Sequence, residues 1–215
     1  MNSLLFRRAA LAVSAAVVLP LTLAACSSDD SSKDSAAGST PSASTPAESP
    51  ADDSTTMDKP FGPACSSVPK EGAGSFDGMA QDPVATAASN NKKLSTLVAA
   101  VKQAGLVDTL NNAQNITVFA PTNDAFAKIP QADLDALLAD KAELTKVLTY
   151  HVVGEKLTPK QLEKGSFGTL EKSSLTTAGS GTEYTVNDSS KVVCGNVPTA
   201  NATVYIVDTV LMPPK

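Results

Sequence analysis

The chain has 215 residues, with 17 Lys and Arg against 22 Asp and Glu, 42% hydrophobic and 4% aromatic residues, and one histidine. That length holds one domain with substantial appendages. Both arginines, Arg7 and Arg8, lie at the start; the acidic remainder lacks the guanidinium fork that grips phosphates, which excludes nucleic acid as the expected partner, and the lone His151 excludes a histidine cluster or a two-histidine relay.

Met1 to Phe6 lead into Arg7-Arg8, and the run from Ala9 to Ala25 carries no charge. A positive start before an apolar run is the pattern of a secretory signal peptide. Read instead as a membrane span, the run is short and Ala-rich, with Pro20 inside it. Its end, Leu23-Ala24-Ala25-Cys26, resembles the lipobox of bacterial lipoproteins, which implies diacylglycerol on the Cys26 thiol and cleavage before it. The alternative is an ordinary cut after small residues, with an incidental cysteine. Twin-arginine flanks are missing around Arg7-Arg8, so Sec-type export is expected. Residues 1–25 are therefore read as a lipoprotein signal peptide and Cys26 as the lipidation site. Two or three acyl chains hold a domain stably at a membrane, where one chain does not. No later run is apolar enough to span a bilayer, and Met212-Pro213-Pro214-Lys215 is no wall-sorting tail. Cys26 is the expected sole anchor, and the membrane is reached only through that lipid.

Residues 26–60 form the expected tether, rich in Ser, Thr, Ala, Pro and Asp. A segment with so little apolar surface cannot offset its ordering entropy and is predicted to be disordered. Its acids are Asp29, Asp30, Asp34, Glu48, Asp52, Asp53 and Asp58, against Lys33 and Lys59. Such charge beside an anionic membrane favours extension, with a reach of roughly 30 Å as a coil and about 100 Å if stiffened by proline. Thr40-Pro41, Thr45-Pro46 and Ser49-Pro50 resemble mucin-type stalks and suggest O-glycosylation.

From residue 61 to 215 the pattern is that of one α+β domain. Asp82-Pro83-Val84 is predicted to open a short helix ending near Ser89. Ser95 is predicted to cap a second helix, running to Gly105. Ile116 to Ala120 reads as a strand bounded by Pro121. Asp133–Leu138 and Lys141–Tyr150 read as helices with their leucines inside, and Thr158-Pro159 starts another, ending at Gly165. Leu170, Leu175 to Thr177, Tyr184 to Val186, Val192-Val193 and Val204 to Leu211 then read as short strands. Helices first and strands second favour α+β architecture over a βαβ nucleotide fold.

Three of these segments carry a resemblance. Thr117 to Phe126 is similar to the first signature of the fasciclin (FAS1) domain, Tyr150-His151 to its Tyr-His motif, and Val204 to Pro213 to its closing segment. With lipobox and tether in front, the chain resembles the actinobacterial cell-surface FAS1 lipoprotein antigens. The resemblance implies a β-wedge of short strands flanked by helices, and a role in adhesion or protein–protein contact. It also implies an integrin-type interaction motif at Tyr150, His151, Val152 and Val153. Adhesion motifs of the Asn-Lys-Asp-Ile-Leu and Glu-Pro-Asp-Ile-Met kind, known in animal relatives, are absent.

Read from residues alone, His151 at a helix-to-strand junction is a structural histidine or part of a binding surface. Cys65 and Cys194 remain once Cys26 is lipidated; in an exported protein they make one disulfide, with free thiols or a redox pair as the alternative. Such a bridge would join the anchored end of the domain to a late strand. No nucleophile elbow, phosphate loop or convergent carboxylate cluster is visible. No catalytic residue, metal or cofactor is expected, and a hydrolase is the weakest reading. Two function classes remain: a monomeric, lipid-anchored adhesion or interaction protein with an unknown protein or matrix partner, and an envelope protein binding a small molecule or polysaccharide. They part on whether an apolar cavity opens beside Tyr150.

Overall fold

The apolar spacing of the first half and the alternation of the second build helices and then a sheet. The computed structural model describes residues 59–214; the signal peptide, Cys26 and nearly all of the tether lie outside the described residues. The helices are α1 (Phe76–Gln81), α2 (Val84–Ser89), α3 (Ser95–Ala104), α4 (Val107–Asn112), α5 (Asn123–Ala127), α6 (Gln131–Ala139), α7 (Lys141–Tyr150) and α8 (Pro159–Leu162). The strands are β1 (Ile116–Pro121), β2 (Val152–Val153), β3 (Lys164–Gly168), β4 (Ser174–Ser180), β5 (Glu183–Val186), β6 (Ser190–Pro198) and β7 (Ala202–Val207).

The boundaries of α2, α3, α6 and α7 fall within two residues of expectation while α1 was not expected, and several caps come from far away. Thr122 caps α5 locally, accepting from the Ala125 N–H at 3.2 Å. Ser95 does not cap α3: its neighbour Thr96 donates its N–H to Asn123 Oδ1 at 3.0 Å, across 27 residues. At α2, Asp82 makes no cap; Val84 donates to Asn201 Oδ1 at 2.8 Å. Such caps satisfy orphan helix N–H groups just as local ones do, yet local sequence does not reveal them. The helix α8 is shorter than predicted, and Gly165 belongs to β3, which the pattern missed. Leu170 stands outside every strand and is exposed. The leucines of α6 are only half-buried, so that helix lies on the surface of the core.

The seven strands form one sheet in the order β2-β1-β7-β6-β5-β4-β3. Only β1 and β7 pair in parallel, from Ile116 opposite Ala202 to Pro121 opposite Val207; the other pairs are antiparallel. The sheet curls until its edges touch, since Val153 beside β1 bridges to Thr169 just beyond β3. Closure removes exposed edges and encloses an interior. Alternation along β1 serves two surroundings: Val118 and Ala120 face a core shared with the helices, while Phe119 faces the sheet's interior. Tyr150, Leu157, Leu175, Tyr184 and Tyr205 fill that interior, with Phe119 stacked on Tyr205 at 5.8 Å.

A disulfide joins Cys65 to Cys194, with Cα atoms 4.9 Å apart. Cys65 lies in the helical turn Pro63–Ser67 ahead of α1, and Cys194 in β6. Phe61 and Gly195 exchange main-chain hydrogen bonds beside it, at 3.1 and 2.8 Å. A Cβ on Gly195 would fall 2.5 Å from the Phe61 ring, so glycine is required for that close approach.

Candidate functional site

Helix α7 ends and β2 begins within two residues, because His151 keeps a helical main-chain conformation in which its N–H still donates to the carbonyls of Val147 and Leu148. The junction places Tyr150, His151, Val152 and Val153 in the interior, at 2%, 2%, 3% and 0% exposure. The Tyr150 hydroxyl donates to the Ser174 carbonyl at 3.1 Å and accepts from Asn187 Nδ2 at 2.8 Å. Asn187 stands at φ 50°, and its Oδ1 accepts the Thr176 N–H at 2.9 Å. Tyr150 therefore ties α7 to the β4–β5 hairpin.

His151 is bound on three sides by main chain. Its Nε2 accepts the Leu211 N–H at 2.9 Å, so the ring proton sits on Nδ1, which donates to the Val147 carbonyl at 2.7 Å. Its own carbonyl accepts the Phe119 N–H at 2.8 Å. Burial lowers its pKa from 6.5 to about 4, against a smaller upward pull from Val147. The imidazole is neutral at physiological pH and both nitrogens are engaged. It has no free lone pair with which to act as a base.

These contacts join the three sequence signatures. The strand of the first, the histidine of the second and Leu211 of the third form one hydrogen-bonded unit. An interaction motif needs side chains that a partner can reach. In the folded domain these four are core, and the expectation of a surface motif gives way to a structural knot.

Two residues to which the sequence assigned no fastening role, Thr117 and Asn201, complete the unit. Thr117 Oγ1 donates to the Glu155 carbonyl and accepts the Leu157 N–H, both at 2.8 Å, fixing the loop after β2. Asn201 caps α2 and donates through Nδ2 to the carbonyls of Leu110, Asn111 and Ala113, at 2.8, 3.2 and 2.7 Å. It is part of the sequon Asn201-Ala202-Thr203, but its buried, fully engaged amide is incompatible with a glycan. The signal for both was a polar side chain in or beside an apolar run. Among the described residues no three His, Cys, Asp or Glu side chains gather as a metal site would require.

An apolar cavity of about 260 Å³ does open, though not beside Tyr150. It lies on the opposite face of the sheet, between α2, α3 and α4 above and β1, β6 and β7 below, with His151 and Val152 in its wall. Thr86, Ser89 and Lys102 line its exposed rim.

Comparison with known proteins accords with this geometry. Residues 92–213 match the fasciclin domain family. The chain is 51% identical over 148 residues to the cell surface glycolipoproteins MPB83 of Mycobacterium bovis and MPT83 of Mycobacterium tuberculosis, a match covering 66% of this chain and 66% of each relative. It is 48% identical over 161 residues to the immunogenic protein MPB70 of Mycobacterium bovis, covering 71% of this chain and 82% of the relative. A FAS1 domain pair from the insect cell adhesion molecule fasciclin I shares the fold, with a TM-score of 0.52 at 19% identity over 63% of this chain and 52% of that one. The signatures, the helix-flanked wedge and a family match over more than half of the chain lead to one conclusion: this protein belongs to the fasciclin (FAS1) domain family.

Proposed function

We propose that the chain is a lipid-anchored, extracytoplasmic surface protein whose FAS1 domain contacts a protein or matrix partner and catalyses no reaction. The observation that carries this reading is 51% identity to relatives named cell surface glycolipoproteins. That name speaks of lipid and sugar, and this chain offers a chemical place for each. The Cys26 thiol follows Leu23-Ala24-Ala25, and Thr40, Thr45 and Ser49 each precede a proline. The described residues contain no helix long and apolar enough to cross a membrane. Binding is favoured over catalysis because the sole histidine is closed off by main chain. With Tyr150 to Val153 buried, contact falls to the exposed surface around them.

Labelled palmitate fed to cells expressing the full chain tests the anchor. Label is expected on the wild type and absent from Cys26→Ala, and only the wild type should be removed from intact cells by external protease while remaining membrane-bound without it. Equal labelling of both proteins, or protection of the wild type from protease, would refute surface anchoring. Crosslinking on intact cells tests the partner: a saturable adduct is expected, and its reproducible absence would defeat the interaction reading.

A further inference from the structure

The cavity between the helices and the sheet has a physical origin. Helix α2 reads Val84-Ala85-Thr86-Ala87-Ala88-Ser89, and no side chain in it is larger than valine. Helices that cross a sheet normally fill the gap with leucines and aromatics. Here a space of about 260 Å³ remains, well above the roughly 150 Å³ of a dry cavity that takes up benzene. Val84, Leu97, Val101, Val118 and Ile206 are among its aliphatic walls. His151 also lines it, but its nitrogens are spent on main chain, so it presents only ring carbon. Asn91 and Thr199 also border it, with Asn91 Oδ1 accepting the Lys93 N–H and Thr199 Oγ1 bonded to the main chain of Ala202, so the walls offer mainly dispersion contacts.

The rim differs. Thr86 and Ser89 of α2 and Lys102 of α3 are exposed there, and Lys102 is the only side chain of the lining that carries a charge. An apolar chamber with a single ammonium and two hydroxyls at its mouth matches a molecule with an aliphatic tail and one anionic head. The tail displaces no ordered charge, and the head stays at the water boundary where a lysine can meet it without desolvation. We infer that this cleft binds a single-chain carboxylate amphiphile, a medium-chain fatty acid, with the tail between α2 and the sheet and the carboxylate at Lys102. This goes beyond surface display and stands or falls independently of it.

Titration calorimetry on the full chain carrying Cys26→Ala, so that no attached acyl group competes, tests the site. Octanoate and decanoate are expected to bind at one saturable site, with affinity rising about fourfold per methylene and then levelling off once the tail exceeds the cavity. Decyltrimethylammonium is expected to bind at least about tenfold more weakly than decanoate. Ala85→Leu with Ala88→Leu places two side chains into the cleft and should abolish binding with the melting temperature maintained. Lys102→Glu, an exposed change that the fold accommodates, should weaken decanoate about tenfold or more and remove the preference for the anion. No saturable binding by the folded wild type would overturn the proposal. So would undiminished affinity in the filled variant, equal affinity for anionic and cationic heads, or affinity that climbs with chain length without a plateau.

Discussion

A neutral imidazole buried between two main-chain partners makes this domain sensitive to acid. The His151 pKa is about 4 in the fold and about 6.5 in an unfolded chain. Between those values the unfolded state binds the extra proton, so stability is full above about pH 6.5 and falls as pH drops towards 4. The loss by pH 4 is about 3 kcal/mol from this group. Urea midpoints across that window should show it, and His151→Gln should flatten the slope while lowering stability at pH 7 by about 1–3 kcal/mol. At Asn201, replacement by Ala strands the Val84 N–H and three carbonyls. A loss of about 3–4 kcal/mol is expected, readable as a lower urea midpoint with an unchanged slope. Tyr150-His151 was legible as a junction because helical spacing stops there and aliphatic residues follow. That its imidazole holds Leu211 was not legible: a sequence shows which groups can pair, not which are brought together across 60 residues.

Elements were more legible than their fastenings. The apolar run from Ile116 to Ala120 marked β1, whose Val118 and Ala120 meet one apolar core and Phe119 a separate one. The strand β3 escaped because Lys164-Gly165-Ser166-Phe167-Gly168 holds one large apolar residue, and its neighbours β4 and α8 impose its conformation. The cap of α3 escaped because Asn123 belongs to a different helix start. Asn123→Ala should cost about 1 kcal/mol and raise hydrogen exchange in the first turn of α3. The pairing of Cys65 with Cys194 followed from counting cysteines on the expectation of export, and the structure contains that bridge. It closes a loop with a sequence separation of 129, worth about 4–5 kcal/mol from loop-closure entropy. Reduction, or Cys65→Ser with Cys194→Ser, should lower the melting temperature by a comparable loss in free energy. An unchanged melting temperature would mean that the pairs between Phe61 and Gly195 hold that end alone.

At the scale of the molecule, α+β class and the helix-before-strand order were open to reading, while the sheet's strand order was not. Nothing local indicates that β1 pairs in parallel with β7, the last strand, because that pairing depends on long-range burial rather than on a turn. β7 sits between β1 and β6, Asn201 just before it caps α2, and Leu211 just after it holds His151. Without this stretch β2-β1 and β6 to β3 meet only at the bridge between Val153 and Thr169, and α2 lacks its cap. A chain ended after Pro198 is accordingly expected to show no cooperative urea transition and no protected core amides. The keystone position of β7 also sets a schedule. A chain made from its N-terminus exposes β1 more than 80 residues before its parallel partner exists, and until then no closed sheet can form. Closure of the sheet is therefore a C-terminal event, committed in one late step after every helix of the described residues has been made.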